Sequence, residues 1–314
     1  MNAAPLAATS ARLSTVTANP PASRPSRLLS SIRPGFGLPK PAASSRRPRQ
    51  GTMSAPKLGA LPRSMSQRKK ATVPIFKKPT LLDKPVSNHG ARVRMLIYLK
   101  ELEGEIDIVS PDVVGGMKSP EYCALNPQAK MPVLVLPDGM SLPESEVILN
   151  YLTDKYNEVK PDLTPHSPEL RARGQLAIRF HDLYITTIQG AMYKEMDIKA
   201  RAEMIGALNE QLDVLEEIVM GPYVTGHFIS TADCALFPTF VFMEHMLTKY
   251  FGWETIFHRR PKCEAWFKLL CSQAVPGRVK AELDEGLQTW ADNDRWGKLG
   301  ILEQVANKEH KWAY

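Results

Sequence analysis

The chain has 314 residues, and no apolar run in it reaches the roughly 18–20 residues a membrane-crossing helix needs. Its formal net charge of +7 is misleading: residues 1–82 carry 15 Lys and Arg and no acid, while the rest carries 25 basic and 33 acidic residues, a net −8. The basicity belongs to the amino-terminal tail, so it gives no reason to expect a nucleic-acid-binding domain.

That tail, rich in Ala, Ser, Pro and Arg and free of acids, has the composition of an organelle transit peptide. It lacks a continuous apolar segment, which argues against a secretory signal. Its prolines argue against one long amphipathic helix and favour a plastid over a mitochondrion, the alternative address. Residues 1–78 are therefore expected to be a transit peptide and disordered linker.

Ordered structure is expected from residue 79. A short strand (80–86) precedes a helix (87–103) whose apolar residues Val93, Leu96, Ile97 and Leu99 share one face. Residues 104–111 alternate as a second strand, and 111–125 run from loop into helix. Pro132 opens the apolar run Val133–Leu136, and Pro137-Asp138-Gly139 is a turn signal, so 132–143 is expected to be a hairpin. A helix over 144–156 closes a compact α/β unit, residues 79–157. After a Pro-containing linker (158–166), residues 167–290 are expected to be all-helical, with helices over 167–195, 199–220, 229–251 and 259–273. Ser167 is the N-cap of the first, with Pro168 at its first helical position. Ser230 and Asp233 have capping-box spacing. Residues 291–314 form an extension expected either to cap a substrate site or to trail. The cysteines Cys123, Cys234, Cys263 and Cys271 form no CxxC pair and no zinc-ligand spacing with histidine, so free thiols and no metal site are expected.

Four segments in order, "PVSNHGARVR", "NPQAKMPVL", "LPESEVI" and "GHFISTADCALF", resemble the glutathione S-transferase superfamily over roughly residues 79–290. The resemblance implies a thioredoxin-like domain followed by an all-helical domain. It implies glutathione as co-substrate and a small electrophile as its partner, with a second copy of the chain as a further candidate partner. It implies that the bond before Pro132 is cis, turning the backbone of Met131 outward as a free strand edge for the cysteinyl part of glutathione. Glu144 and Ser145 would then hold the γ-glutamyl end, at a helix N-terminus suited to a carboxylate, and Lys130 would reach the glycine carboxylate. Ser87 is the catalytic candidate, a hydroxyl donor that stabilises the reactive thiolate without a covalent intermediate. His181, Asp182 and Tyr184 are candidates for the electrophile pocket. Asn88-His89-Gly90 depart from the pattern, and Gly90 in the first helical turn is locally unfavourable by up to about 1 kcal/mol. Expected activities are conjugation or hydroperoxide reduction. The alternatives are glutathione-dependent isomerisation or dehalogenation, and a non-catalytic binding module of the same fold.

Overall fold

A computed structural model describes residues 73–314. The expected transit peptide lies almost wholly outside the described residues. Strand β1 (Thr80–Leu82) leads through α1 (Asn88–Leu99) to a parallel strand β2 (Asp107–Val109). Helix α2 (Pro120–Leu125) leads to the hairpin β3 (Val133–Val135) and β4 (Ser141–Pro143), and α3 (Ser145–Lys155) follows at once. Both hairpin pairings are antiparallel, and the sheet order is β2-β1-β3-β4. The two central strands, β1 and β3, are buried throughout, and their alternation feeds two cores. Leu81 and Leu134 face α1 and α3 in the main core. Leu82, Val133 and Val135 face Tyr122 and Leu125 of α2 in a smaller one. The expected seven-residue first strand keeps only three residues, because Asp83-Lys84-Pro85 leaves the sheet toward the helix.

The helical half begins with α4 (Pro168–Phe180), capped by Ser167 as its sequence predicts. The helix expected to continue to residue 195 instead changes form. Residues His181–Ile185 make a π turn closed by Thr186 N–H on the His181 carbonyl (2.9 Å), and Gln189–Met192 a 3₁₀ turn. Then come α5 (Ile198–Ile218), α6 (Thr231–Tyr250), α7 (Pro261–Ser272) and α8 (Ala274–Asp292). Residues 231–243 of α6 are buried without interruption, so α6 is the central rod of this half. Helices α1 and α6 are in extensive contact, and one apolar core runs through both halves.

The extension does not trail. It forms α9 (Arg295–Lys298) and α10 (Ile301–Ala306), and buries Trp296, Ile301 and Trp312. The Trp296 ring stacks on Tyr250 at 4.0 Å, and its N–H donates to the Met192 carbonyl (2.9 Å). The Trp253 N–H donates to the Trp312 carbonyl (2.7 Å).

Candidate functional site

Ser87 is the N-cap of α1. Its hydroxyl accepts from the Gly90 N–H at 3.0 Å and satisfies one of the orphan donors of the first turn. The loop that carries it is clamped by Arg94, two turns along the same helix. The Arg94 guanidinium donates to the carbonyls of Lys84 (3.0 Å) and Pro85 (2.7 Å), to Glu282 of α8 (2.9 Å), and to the Asp83 carboxylate. Asp83 is sealed, and its Oδ1 has no hydrogen-bond partner. Burial pushes its carboxyl up to about 6, against the opposing pull of Arg94, the Lys84 N–H and the Ser87 hydroxyl. Gly90 now has a reason: a Cβ there would overlap the Asp83 carboxylate. The residue that costs helix propensity is the one that leaves room for a buried acid.

The second element is the turn ahead of β3. The Met131–Pro132 bond is cis. Asn126 explains the "NP" of the motif. Its side-chain N–H donates to the Lys130 carbonyl (2.8 Å), its Oδ1 accepts from the Gln128 N–H (3.1 Å), and the Tyr122 hydroxyl also donates to the Lys130 carbonyl (2.8 Å). The turn is therefore held from inside by Lys130's backbone, which leaves the lysine side chain to the outside. Among the described residues, Met131's N–H and carbonyl pair with no other backbone group. The third element is the start of α3. Glu144 is its N-cap residue with a left-handed φ of 72°, and Ser145 is the first helical residue, nearly buried.

Arg92 joins these elements. Its guanidinium, buried at 1% exposure, lies 3.4 Å from the Ser145 hydroxyl and 2.7 Å from Asp182, and touches His181. Its Nε is left without a partner. His181 is fully buried and also meets Thr239 of α6 at 2.8 Å. Burial first, and then the Arg92 charge, lower the His181 pKa to about 4, so it is neutral at ordinary pH. Burial would raise Asp182, but the His181 hydrogen bond and the Arg92 charge hold its carboxyl well below the usual carboxylate range. The π turn is what turns His181 inward, in keeping with the habit of π turns of marking functional segments. Of the three pocket candidates, His181 and Asp182 are partners of Arg92, and Tyr184 is 54% exposed and packs on Phe180.

A second polar thread runs beside it. The Asn88 side chain accepts from the His89 backbone N–H (3.0 Å) and donates to Gln189 (2.9 Å) and Thr239 (3.0 Å). His89 therefore meets the helical half, its Nε2 3.4 Å from the Gln189 side chain and its ring 6.3 Å from that of His181. Local sequence signals named Ser87, Met131, Pro132, Glu144 and Ser145. They missed Asp83, Arg92 and Gln189: Arg92 and Gln189 are defined by partners about 90–100 residues away, and Asp83 by its burial against Arg94. No group of three or more metal-ligating side chains occurs among the described residues. A cavity of about 860 Å³ against Met220 and Phe228 shares no residue with this cluster.

Comparison with known proteins follows the same division. The family described as "Glutathione S-transferase, N-terminal domain" matches residues 81–160, and "Glutathione S-transferase, C-terminal domain" matches 198–269. The chain is 29% identical to glutathione S-transferase F10 of Arabidopsis thaliana, over 60% of this chain and 91% of that one. It is 28% identical to maleylacetoacetate isomerase of Rattus norvegicus, over 58% of this chain and 85% of that one. A glutathione transferase homologue from sulfitobacter, solved with bound glutathione, shares its fold with a TM-score of 0.54 at 22% identity, over 67% of this chain and 99% of that one.

Proposed function

The chain is an enzyme of the glutathione S-transferase superfamily, and we propose that it conjugates glutathione to small electrophiles or reduces organic hydroperoxides, with the Ser87 hydroxyl stabilising the bound thiolate. The observation that carries this reading is the cap geometry. Ser87's oxygen is occupied as an acceptor by the Gly90 N–H, so its one proton is left for donation. A thiolate beside it gains that hydrogen bond and the positive end of a 12-residue helix. Asp83 is the competing acceptor for the same proton.

The rest of the arrangement fits the peptide part of glutathione. The free backbone edge at Met131 suits two main-chain hydrogen bonds with the cysteinyl residue. The N-terminus of α3 at Ser145 suits the γ-glutamyl carboxylate, and Arg92 beneath it adds positive charge. Glu144 suits the γ-glutamyl ammonium, and the Lys130 side chain the glycine carboxylate. Isomerisation stays the second reading, supported by the likeness to maleylacetoacetate isomerase.

The deciding experiment is Ser87→Ala. Glutathione raises the melting temperature of the wild type because it binds the folded state, and this shift is expected to persist in the variant. The thiolate titration, followed by ultraviolet absorbance, is expected to move up by one unit or more, about 1.4 kcal/mol each. Turnover of an electrophile panel near neutral pH should fall in step. An unmoved titration and unmoved turnover would leave Ser87 as a helix cap only. A wild type whose melting curve ignores saturating glutathione would transfer the case to a non-catalytic binding module.

Two further parts of the proposal concern assembly and address. Exposed Val147 on α3, with Leu176, Leu183 and Tyr184 along α4 and the π turn, supports a homodimer, which sedimentation would test. The acid-free first 82 residues support a plastid address. A fusion of residues 1–60 to a fluorescent protein should enter plastids and be clipped; uniform cytosolic fluorescence would reject the address.

A further inference from the structure

We propose that His89 is a second donor to the sulfur of bound glutathione, delivering its Nδ1–H, with Asn88 and Gln189 as the positioning residues that fix its tautomer. This rests on the transferase reading of Ser87 and deepens it.

The tautomer follows from a relay that starts at the backbone. The His89 N–H can only donate, so the Asn88 atom that meets it is the amide oxygen. The Asn88 amide nitrogen then faces Gln189 and Thr239 and donates to both. Gln189 must therefore present its oxygen to Asn88, which turns its own NH₂ toward His89. That nitrogen lies 3.4 Å from His89 Nε2, which has to be the acceptor. A neutral imidazole with an accepting Nε2 carries its proton on Nδ1. Among the described residues, Nδ1–H has no hydrogen-bond partner, and it is not one of the polar atoms sealed in the interior.

Its position points the same way. His89 stands two residues after Ser87 in the first turn of α1. The charged and titratable groups that face it are Arg92 on α1, His181 and Asp182 on the π turn, and Lys130 ahead of the cis proline. It thus lies in the same first turn that Ser87 caps, on the side where α1 meets the helical half. Burial, and then Arg92 and His181, keep its pKa well below the ordinary 6.5. His89 is therefore an uncharged donor across the working range. It stabilises a thiolate by a directed hydrogen bond and takes no proton from it.

The test uses His89→Phe, which deletes the donor, and His89→Asn, whose amide nitrogen can stand where Nδ1 stood. Glutathione binding, by melting shift, and the thiolate titration are measured on both and on the wild type. The expected result is retained binding in each, with a titration midpoint in His89→Phe higher by about one unit, a roughly tenfold smaller thiolate fraction near neutral pH. His89→Asn should recover most of that loss. Nitrogen spectra of isotope-labelled histidine should show the Nδ1–H tautomer in the wild type. An Nε2–H tautomer, or a His89→Phe enzyme that binds glutathione and titrates like the wild type, overturns the proposal and leaves Ser87's role intact. A wild type that fails to bind glutathione overturns both readings together.

Discussion

Each half of the molecule seals one carboxylate completely, and the two are treated differently. Asp233, in the helical half, receives four neutral donors: the Val224 N–H (2.9 Å) and Trp266 indole (2.8 Å) on one oxygen, and the Ser230 N–H (2.8 Å) and hydroxyl (2.9 Å) on the other. Asp83, beside Ser87, has Arg94 on one oxygen, and its other oxygen makes no hydrogen bond of normal geometry, although the Lys84 N–H and the Ser87 hydroxyl are near enough to act on it. Burial pushes both carboxyls up, and each set of partners opposes it. The first arrangement is a finished structural joint that ties a loop, a capping box and α7 together. The second leaves an unmet acceptor next to the one hydroxyl assigned to chemistry. A fully satisfied buried acid is a structural device, whereas an unsatisfied one beside the proposed catalytic hydroxyl is where stability would be given up to function.

The comparison breaks most visibly at Asp233. Asp233→Ala strands four donors in the interior and should cost about 3–4 kcal/mol in denaturant unfolding. The glutathione affinity of the folded fraction should be unchanged. A loss under about 1 kcal/mol would mean that those donors find other partners.

At the other carboxylate the sharper probe is Gly90→Ala, which forces a methyl group into the space Asp83 occupies. A cost of about 2 kcal/mol is expected, in the range of overpacked cores. Pairing it with Asp83→Gly should cost less than the sum of the two single changes, as contacting residues do in a double-mutant cycle. Strict additivity would show that the two positions do not share the space.

The smallest effect is one of pH. The folded carboxyl at about 6, against an ordinary 3.8, means the folded state holds this proton to higher pH than the unfolded chain. Stability from this group is thus full below about pH 4 and declines as pH rises toward 6. Asp83→Asn should flatten that decline, which runs at about 1 kcal/mol per pH unit, seen in urea midpoints measured across the window. The same variant replaces a charged acceptor for Ser87's proton with a weaker, neutral amide oxygen, so the thiolate titration should move down. A movement upward would show that Asp83 supports the thiolate by another route.

Much of the fold was legible because its signals are local. The strand triplets "TLL" and "VLV", the "PDG" turn and the Ser-Pro cap at 167–168 each say what they are within a few residues. The break after Phe180 has no such mark: no Pro or Gly stands near it, and the π turn exists because His181 is drawn to Arg92 and Thr239 from other segments. Helix α8 was hidden for the opposite reason. Pro276-Gly277 reads as punctuation, yet it falls in the first turn, where proline sacrifices no helical hydrogen bond. At the site, the residues that touch the expected ligand carry motifs, whereas the residues that hold them are defined only by distance in space. Asn88 and Gln189, 101 positions apart, are the clearest case.

The burial of Trp296 and Trp312 by the extension has an optical consequence. All five tryptophans of the chain, Trp253, Trp266, Trp290, Trp296 and Trp312, lie in the helical half, and the thioredoxin-like unit contains none. Indole emission therefore watches only one side of the molecule. A melt followed at those wavelengths reports the helical half, and far-ultraviolet dichroism is needed to see whether the sheet lets go at the same temperature. A change in emission when glutathione is added would have to reach the helical half from α1, through α6, α8 or the π turn, which makes the native protein its own reporter of how tightly the two halves are coupled.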